Sequence, residues 1–341
     1  MKQWRIDGDW NFDGLDLVDA PVPDPDPGQV LLRMKAVSLN YRDHVMVGRG
    51  YGRLSGELPL VPLSDGVGEV VAVGDGVEGI AIGSRRVPCF NQDWMDGDFE
   101  DDMWGGMLGG PVDGTARAFM CAKAAATVAV PDHLTDEEAS TLCCAAITAW
   151  NSVAEMPATV TDGGTVVTQG TGGVSLFALQ FAKSKGARVI ATSSNDEKLA
   201  RLSALGADEV IDYRAVPEWG KAVLALTDGR GADLVVDIGG AATFNQSLRA
   251  TRSDGAIALV GNVSGSAVEV NLALVFMFRK RLIGMSTGSV ADFRAMMAHI
   301  ADSGLRPAID DRIREFEDLK AALQAFPQGD HFGKVVVRVG N

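Results

Sequence analysis

A glycine-rich segment in the middle of the chain carries the strongest chemical signal. Residues 165–175 read TVVTQGTGGVS, an apolar run followed by glycines and then by the apolar spacing of a helix. A turn of this kind lets the backbone approach a pyrophosphate and points free N–H groups at its negative charge. The segment therefore predicts a dinucleotide-binding loop with contacts from Gly170, Thr171, Gly172, Gly173 and Val174.

The loop departs from the GxGxxG pattern at its third position. Gly170 and Gly172 fill the first two glycine positions, whereas Ser175 stands where a third glycine would let the helix pack closely on the strand. We therefore expect slightly looser packing between these two elements. A glycine-rich turn can also be purely structural, so the dinucleotide interpretation depends on the elements around it.

The next predicted strand bears on which dinucleotide binds. NAD-dependent enzymes place Asp or Glu about 20 residues after the loop, where it holds the ribose 2′-hydroxyl. Here that strand ends in Ser193 and Ser194, whose hydroxyls can donate to a 2′-phosphate. Lys198 and Tyr213 are the other candidate contacts, although a solvated lysine and a core aromatic ring are alternative interpretations. The pattern predicts NADPH rather than NADH.

The elements that must position this loop alternate between strand and helix from residue 127 to residue 290. The predicted strands cover 165–169, 188–192, 209–211, 233–237, 256–260 and 281–285. Such alternation predicts a parallel sheet wrapped by helices, an α/β fold. Residues 1–126 instead read as short strands cut by Gly and Pro, which predicts a β-rich, barrel-like half. Residues 291–341 predict two helices and a last strand that can pair back into that half.

Length, charge and cysteine content limit the class of protein. A chain of 341 residues predicts two domains. The formal charge of -14 and the pI near 4.7 argue against binding to nucleic acid or to an anionic membrane, because no basic stripe is present. The start of the chain lacks the apolar run of a signal peptide, and no apolar stretch reaches the ~20 residues of a membrane span. Four cysteines without CxxC spacing predict free thiols and a cytoplasmic location.

Several motifs together resemble the medium-chain dehydrogenase/reductase superfamily, in its zinc-lacking, quinone-oxidoreductase-like branch. Besides the glycine loop, they are SLNYRD (38–43), PLSDGVGEVVAVG (62–74), TLCCAAITAW (141–150), TSSNDEKLARLSALGADEVIDY (192–213) and HFGKVV (331–336). The resemblance covers nearly the whole chain. It implies a GroES-like catalytic domain at 1–126 and 291–341, a Rossmann domain at 127–290, and a homodimer joined near residues 281–285.

The resemblance also implies where a catalytic zinc would bind in zinc-dependent members. The three ligand positions are occupied here by Asn40, Ser64 and Cys144, and the Glu beside the His position is Asp65. Zinc needs thiolate or imidazole at most of its positions, and only Cys144 can supply one. The four clustered cysteines of the family's structural zinc are also missing. We expect no metal, and we expect Cys144 to be a small packed residue near the nicotinamide.

Hydride transfer to a conjugated carbonyl or a quinone needs no metal, because the charge spreads into an enolate or phenolate that a few hydrogen-bond donors can hold. The resemblance therefore implies an NADPH-dependent reductase with a small carbonyl or quinone substrate. It implies that nicotinamide and substrate contact Asn40, Thr148 and the loop residues Gly261, Asn262 and Val263, and that Lys334 faces the cofactor. A turn-stabilising role for Asn40 and a solvated strand end at Lys334 are the alternatives.

The proton donor is not singled out by the sequence. Tyr41, His44 and Tyr51 are the candidates, because a hydroxyl that quinone reductases often carry is replaced by Val45. Bulk water is the alternative donor. Arg42 and Asp43 are expected to form an ion pair that fixes this loop.

Two other functions share the same cofactor residues. One is a zinc-independent carbonyl reductase or alcohol dehydrogenase, and the other is an NADPH-binding protein without catalysis. An acidic stretch at 91–110 is interpreted either as a solvated loop or as a mobile flap. Its aromatic residues, which would favour an apolar substrate, are Trp94, Phe99 and Trp104.

Overall fold

The structure is a computed structural model, and it describes residues 1–155, 160 and 163–340. Contacts divide the chain into two compact units, one formed by 1–147 with 287–340 and the other by Thr148–Ser286. This division places residues 127–147 and 287–290 in the first unit, whereas the predicted boundaries were 127 and 290. The strand Thr127–Ala129 pairs there with Arg85–Pro88. The predicted domain ranges also include residues 156–159, 161, 162 and 341, which lie outside the described part.

The first unit begins with seven strands among its described residues. In chain order its elements are β1 (Lys2–Ile6), β2 (Leu15–Asp19), β3 (Gln29–Leu39), α1 (Tyr41–Val47), β4 (Asp65–Val73), β5 (Arg85–Pro88), β6 (Phe119–Lys123), β7 (Thr127–Ala129) and α2 (Asp136–Ala139). The helix α3 (Ile147–Trp150) follows at the change from the first range to the second. The long central strand β3 pairs with β4 and β6, as expected of a β-rich, GroES-like domain.

The second unit alternates strand and helix, as the sequence predicts. Its elements are β8 (Thr165–Gln169), α4 (Gly173–Ser184), β9 (Arg188–Ser193), α5 (Asp196–Ala204), β10 (Glu209–Asp212), α6 (Trp219–Leu226), β11 (Ala232–Asp237), α7 (Phe244–Ala250), β12 (Thr251–Leu259), α8 (Ala273–Phe276) and β13 (Arg281–Gly284). The sheet order is β10-β9-β8-β11-β12-β13, and every neighbouring pair is parallel. The order reverses between β8 and β11, which is where ligands bind in doubly wound sheets.

Burial on both faces explains why these strands read as continuous apolar runs. Every residue of β8 and β11 is buried, and Val167 and Val235 pack in a shared hydrophobic cluster with Ile190. One prediction was wrong at its boundary. The strand β12 begins at Thr251 rather than near residue 256, because Thr251 already pairs with Ala232 of β11 before a register shift leads to the pair of Ala256 with Leu234.

The chain returns to the first unit after β13. The elements there are α9 (Val290–Ser303), β14 (Arg314–Glu315), α10 (Leu319–Ala325) and β15 (Val335–Arg338). The last strand, β15, pairs antiparallel with β3, which confirms that it pairs back into the first half. The sheet has the order β14-β15-β3-β4-β5-β7, with β6 attached to β3. No helix in the described part is long and apolar enough to cross a membrane.

The acidic segment 91–110, which precedes β6, contains three aromatic rings in contact with one another. Trp94 and Trp104 both meet Phe99 edge to face, with ring centroids 5.1 Å and 5.2 Å apart. The start of α9 contacts the same segment, since the backbone N–H of Val290 donates to the carbonyl of Trp94 over 2.9 Å. The aromatic rings therefore hold this segment together from within, while most of its carboxylates are exposed.

A buried carboxylate at the start of β11 ties together the second unit's sheet. Asp233 accepts hydrogen bonds from the N–H of Thr165 over 2.8 Å, from Arg230 over 2.6 and 2.8 Å, and from Arg252 over 2.5 Å. Burial by itself would raise the pKa of Asp233, but these hydrogen bonds outweigh it and lower the pKa to about 2.

We expect Asp233→Asn to reduce the free energy of unfolding by about 1–2 kcal/mol at neutral pH, allowing for screening by solvent. The pKa lies below its ordinary value of 3.8, so the stabilisation is complete above that value and is lost as the pH falls toward 2. The difference in the free energy of unfolding between wild type and variant should therefore shrink as the pH falls from 3.8 toward 2. Urea unfolding at a series of pH values measures it, and a difference that does not change with pH would contradict the assignment.

Candidate active site

The glycine loop joins the end of β8 to the start of α4. Gly170 has a φ of +75°, which favours glycine, and its N–H donates to the carbonyl of Thr192 over 2.7 Å. Gly172 is the N-cap of α4 but has no side chain to cap it, and a Cβ at this residue would meet no atom within 4 Å. The first N–H groups of a twelve-residue helix thus face open space, an arrangement that fits a pyrophosphate.

Ser175, at the third glycine position, forms a hydrogen bond between helix and strand. Its hydroxyl is 1% exposed and donates to the carbonyl of Gln169 over 2.5 Å. Because Gln169 is the last residue of β8, this hydrogen bond ties the helix α4 to the strand it follows. The serine substitutes a specific bond for the close contact that glycine allows.

The end of β9 gathers the residues predicted to contact the ribose. The N–H of Tyr213 donates to the carbonyl of Ser193 over 3.0 Å, and Ser194 directly follows. Asn195 caps α5 by accepting from the N–H of Lys198 over 2.8 Å. The first turn of α5 also holds two exposed carboxylates that the sequence argument did not weigh, Asp196 and Glu197.

The predicted loop after β12 lies against the loop after β11. Gly261, Asn262 and Val263 are exposed. A Cβ on Gly261 would come within 2.7 Å of the carbonyl oxygen of Ile238, and a Cβ on Gly240 within 2.7 Å of the Cα of Asn262. Glycine is therefore required where the two loops cross.

Sequence reasoning missed the carboxylate that fixes this pair of loops. Asp237 ends β11 and is buried, with one oxygen accepting from the N–H of Gly239 over 3.0 Å and from the hydroxyl of Thr243 over 2.8 Å. Its other oxygen accepts from Ser247 over 2.5 Å, and Ser247 in turn accepts from Gln169 over 2.7 Å. The available signal was a carboxylate ending an apolar strand directly before an Ile-Gly-Gly turn.

Thr148 is 2% exposed, and its hydroxyl donates to the carbonyl of Ser286 over 2.8 Å. These two residues are the first and last of the second unit. With its hydrogen used in this way, the predicted contact of Thr148 with nicotinamide or ribose would use the oxygen as an acceptor. That contact stays a prediction.

In the first unit, Lys334 lies in a buried group of polar residues with Asn40 and Asp65, here called the polar centre. It is 2% exposed, and its Nζ donates to the carbonyl of Leu39 over 2.6 Å, to Oδ1 of Asn40 over 2.6 Å and to Oδ2 of Asp65 over 2.8 Å. An ammonium has three N–H groups, so all are used. Lys334 is therefore not a solvated strand end, and the predicted cofactor contact, still a prediction, would require exchange of one bond.

Two buried donors at the implied metal positions, the amide of Asn40 and the hydroxyl of Ser64, have no hydrogen-bond partner among the described residues. Asn40 is 8% exposed, and its Nδ2 is buried and has no hydrogen-bond partner among the described residues. A buried donor without a partner lowers the free energy of unfolding by about 1–3 kcal/mol. Asp65, by contrast, is fully buried and well satisfied, since it also accepts from Ser38 over 2.9 Å and from the thiol of Cys143 over 3.1 Å. Ser64 is fully buried whereas Asn40 is partly exposed, so the amide of Asn40 is the donor better placed to receive a ligand oxygen.

The helix α1 fixes Asn40 from the other side. Asp43 is fully buried and accepts from the backbone N–H of Asn40 over 2.8 Å, and burial raises the pKa of Asp43 to about 6. The expected ion pair with Arg42 is present at 3.7 Å. Arg42 also donates to the carbonyls of Leu108 and Gly110 over 3.0 and 3.2 Å, which anchors the helix.

The three candidate proton donors differ in their surroundings. Nδ1 of His44 lies 3.0 Å from the carbonyl oxygen of Leu323, and its ring meets that of Phe12 at 5.3 Å. Tyr41 is 40% exposed and Tyr51 is 44% exposed, with burial raising the pKa of Tyr51. No side-chain hydrogen bond joins the three to Asn40 in the described part of the chain, so their catalytic role stays a prediction.

The residues at the implied zinc positions fit zinc poorly, because two of the three are an amide and a hydroxyl. Asn40 offers an amide oxygen already bound to Lys334, and Ser64 is a fully buried hydroxyl. Burial, and next the charge of Asp65, raise the pKa of Cys144 to about 12, which keeps the thiol protonated. Within the described ranges, no three or more His, Cys, Asp or Glu residues are placed to hold a metal ion.

Comparisons with known proteins find dehydrogenases that match both units. Residues 26–132 match the alcohol dehydrogenase GroES-like domain, and residues 173–302 match the zinc-binding dehydrogenase family. A zinc-type alcohol dehydrogenase-like protein of Schizosaccharomyces pombe is 39% identical over 96% of each chain. A solved candidate alcohol dehydrogenase from Sinorhizobium meliloti is 37% identical with a TM-score of 0.92, covering 99% of this chain and 98% of its own. A solved NAD-dependent alcohol dehydrogenase is 34% identical over all of both chains, with a TM-score of 0.89.

Proposed function

The chain belongs to the medium-chain dehydrogenase/reductase superfamily, and the relatives that it matches are oxidoreductases. We propose that it reduces an α,β-unsaturated carbonyl compound or a quinone with NADPH and without zinc. The observation that carries the proposal is the buried, unpartnered Nδ2 of Asn40. It is a hydrogen-bond donor at a position where zinc-dependent members of the family carry a metal ligand.

This donor determines the roles that the cofactor and Asn40 would have in the reaction. When bound, the nicotinamide supplies the hydride. Asn40 would donate to the substrate oxygen, where negative charge gathers as the enolate or phenolate forms. A proton from one of the three candidate donors or from water would then complete the reduced product. A saturated ketone or aldehyde would instead form an alkoxide, which a single neutral amide stabilises less well than a metal does. Conjugated substrates are therefore the better match to this site.

Relatives support the reductive direction. An acryloyl-coenzyme A reductase of Metallosphaera sedula is 26% identical over 95% of this chain. Its name describes reduction of a conjugated thioester, the same kind of acceptor as an enone. The alternative, a zinc-independent carbonyl reductase or alcohol dehydrogenase, is supported by the names of the more similar relatives.

The choice of NADPH is supported by Ser193, Ser194 and Lys198 at the end of β9. A mycobacterial relative solved with NADPH is 28% identical, with a TM-score of 0.82. The NAD-dependent relative and the carboxylates of Asp196 and Glu197 favour NADH instead. Comparing kcat/KM for the two cofactors at a fixed substrate concentration decides between them, and a preference for NADH would overturn this part of the proposal.

The test of the proposed reaction is oxidation of NADPH by chelator-treated protein, followed optically. Phenanthrenequinone, an enone and a saturated aldehyde are offered in parallel. Turnover of the quinone or enone alone supports the proposal, and turnover of the aldehyde favours the carbonyl reductase. If NADPH binds but none of the substrates reacts, the proposal is overturned in favour of an NADPH-binding protein without catalysis.

We also propose a cytoplasmic homodimer that pairs through β13. The four cysteines are free thiols, which suits a reducing compartment. The strand β13 lies at the edge of its sheet with Leu282 39% exposed, and Phe276 and Met277 just before it are each 69% exposed. An exposed edge beside apolar side chains favours pairing with a second copy.

Leu282→Pro is expected to convert the dimer into a monomer. Backbone N–H groups alternate in direction along a strand. The N–H of Met285 donates to the carbonyl of Leu259 in β12, so the N–H of Leu282, three residues earlier, points away from the sheet. Proline would remove only that outward donor. Leu282→Ala, which keeps the N–H, is the matched control. Light scattering should give twice the chain mass of 35.9 kDa for wild type and control, and an unchanged mass for the proline variant would contradict the proposal.

A further inference from the structure

Strand register brings Lys334 and Asn40 together across almost the whole length of the chain. In the antiparallel pair of β15 with β3, Val335 is opposite Leu39. The residue before Val335 therefore comes beside the residue after Leu39. This places the Lys334 side chain on the Asn40 side chain, with Nζ 2.6 Å from Oδ1.

The backbone of Lys334 is held equally firmly on its other side. Its N–H donates to the carbonyl of Ala308 over 3.1 Å, and its carbonyl accepts from Asp310 over 2.8 Å. Gly333 has a φ of +81°, and a Cβ there would clash with the carbonyl oxygen of Ala308. Glycine before the lysine is thus what lets the chain pass close enough to place Lys334 in the centre.

This contact determines how the Asn40 amide is oriented. An ammonium can only donate, so the atom of Asn40 that faces Lys334 must be the oxygen. The NH2 group is then on the other branch of the amide, where Nδ2 is buried without a partner in the described part of the chain. Reversing the amide would bring two donors together and leave the oxygen without its bond.

We infer that Lys334 is a positioning residue, whose ammonium fixes the Asn40 amide so that its N–H points at the substrate oxygen. The inference rests on the proposed function and adds a residue to its site. The positive charge also polarises the amide, which strengthens its N–H as a donor in a buried setting. Asp65 balances the charge of Lys334 at 2.8 Å, so the ammonium is stable where it is buried.

The alternative role, direct contact with the cofactor, predicts different kinetics. If Lys334 acts through Asn40, Lys334→Met should lower kcat by on the order of 10- to 100-fold while the Kd for NADPH is unchanged. The loss should not add to that of Asn40→Ala in the double variant, because one interaction is removed twice. A weaker Kd for NADPH with unchanged kcat, or fully additive losses, would overturn the inference.

Two further variants separate positioning from folding. Lys334→Met alone leaves the Asp65 carboxylate buried without its counter-charge, which destabilises the fold. The double variant Asp65→Asn/Lys334→Met removes both charges together and is used where the single variant does not fold. Lys334→Arg keeps a charged donor, and we expect it to retain more kcat than Lys334→Met. Equal kcat for the arginine and methionine variants, both folded, would overturn the inference.

A readout that needs no substrate keeps this test apart from the test of the reaction. In protein labelled with nitrogen-15 at asparagine, the side-chain signal of Asn40 is identified by its absence in Asn40→Ala. We expect that signal to shift in the folded variants lacking Lys334, whichever substrate the protein accepts. An unchanged signal would overturn the positioning role even if the proposed reaction is correct.

Discussion

Asn40→Ala is expected to lower kcat/KM for an enone or quinone by about 10²–10³-fold, the loss typical of removing one donor to a developing oxyanion. Cofactor affinity should change little if the amide serves the substrate. The free energy of unfolding should fall by about 1–3 kcal/mol, because alanine leaves one buried N–H of Lys334 without its acceptor, so the rates are measured below the unfolding transition. The measurement is a set of steady-state rates with NADPH titration and thermal unfolding in parallel.

Asn40→Asp sharpens this experiment. The aspartate can still accept from Lys334, but it has no N–H to offer and adds negative charge next to the substrate oxygen. It should be at least as slow as the alanine variant. Asn245→Ala, a change at an exposed asparagine of the second unit, is the control for general effects. Wild-type rates in Asn40→Asp would contradict the donor role.

The second large effect is expected at the glycine loop, where Gly172→Asp should weaken NADPH binding by at least about 100-fold. The aspartate would cap α4 with its own carboxylate, so it would compete for the N–H groups that the pyrophosphate needs and would repel the phosphates. A Cβ at this position meets no atom within 4 Å, so the fold tolerates the change. The melting temperature should stay level or rise while affinity falls.

Gly172→Asn is the matched control, because it caps the helix without a charge. We expect its affinity for NADPH to lie between those of wild type and Gly172→Asp. Fluorescence titration of NADPH measures all three proteins. Unchanged affinity in the aspartate variant would mean that the phosphates do not bind at the start of α4.

The second unit could be predicted almost entirely from local sequence. Strands such as β8 and β11 are buried on both faces, so each reads as a continuous apolar run between turn residues. The glycine loop follows directly from β8, and the order of the strands along the chain was predicted. The early start of β12 was missed because its first residues are polar and resemble a turn.

The centre of the first unit could not be predicted in the same way. Lys334 and Asn40 are 294 residues apart, and only the pairing of β15 with β3 brings them together. The orientation of His44 toward Leu323 depends on which face of α1 packs against α10. The role of Asp237 depends on two loops meeting in space. Each of these contacts requires the tertiary structure.

The most direct test of the central claim is transfer of deuterium from NADPH that is deuterated at C4 of the nicotinamide. Chelator-treated wild-type protein with verified metal content is incubated with an enone, and the product is analysed by mass spectrometry and NMR. The account predicts a saturated ketone with deuterium at the β-carbon, formed at the same rate before and after metal removal. Deuterium at the carbonyl carbon, or activity that returns only when zinc is added, would contradict it.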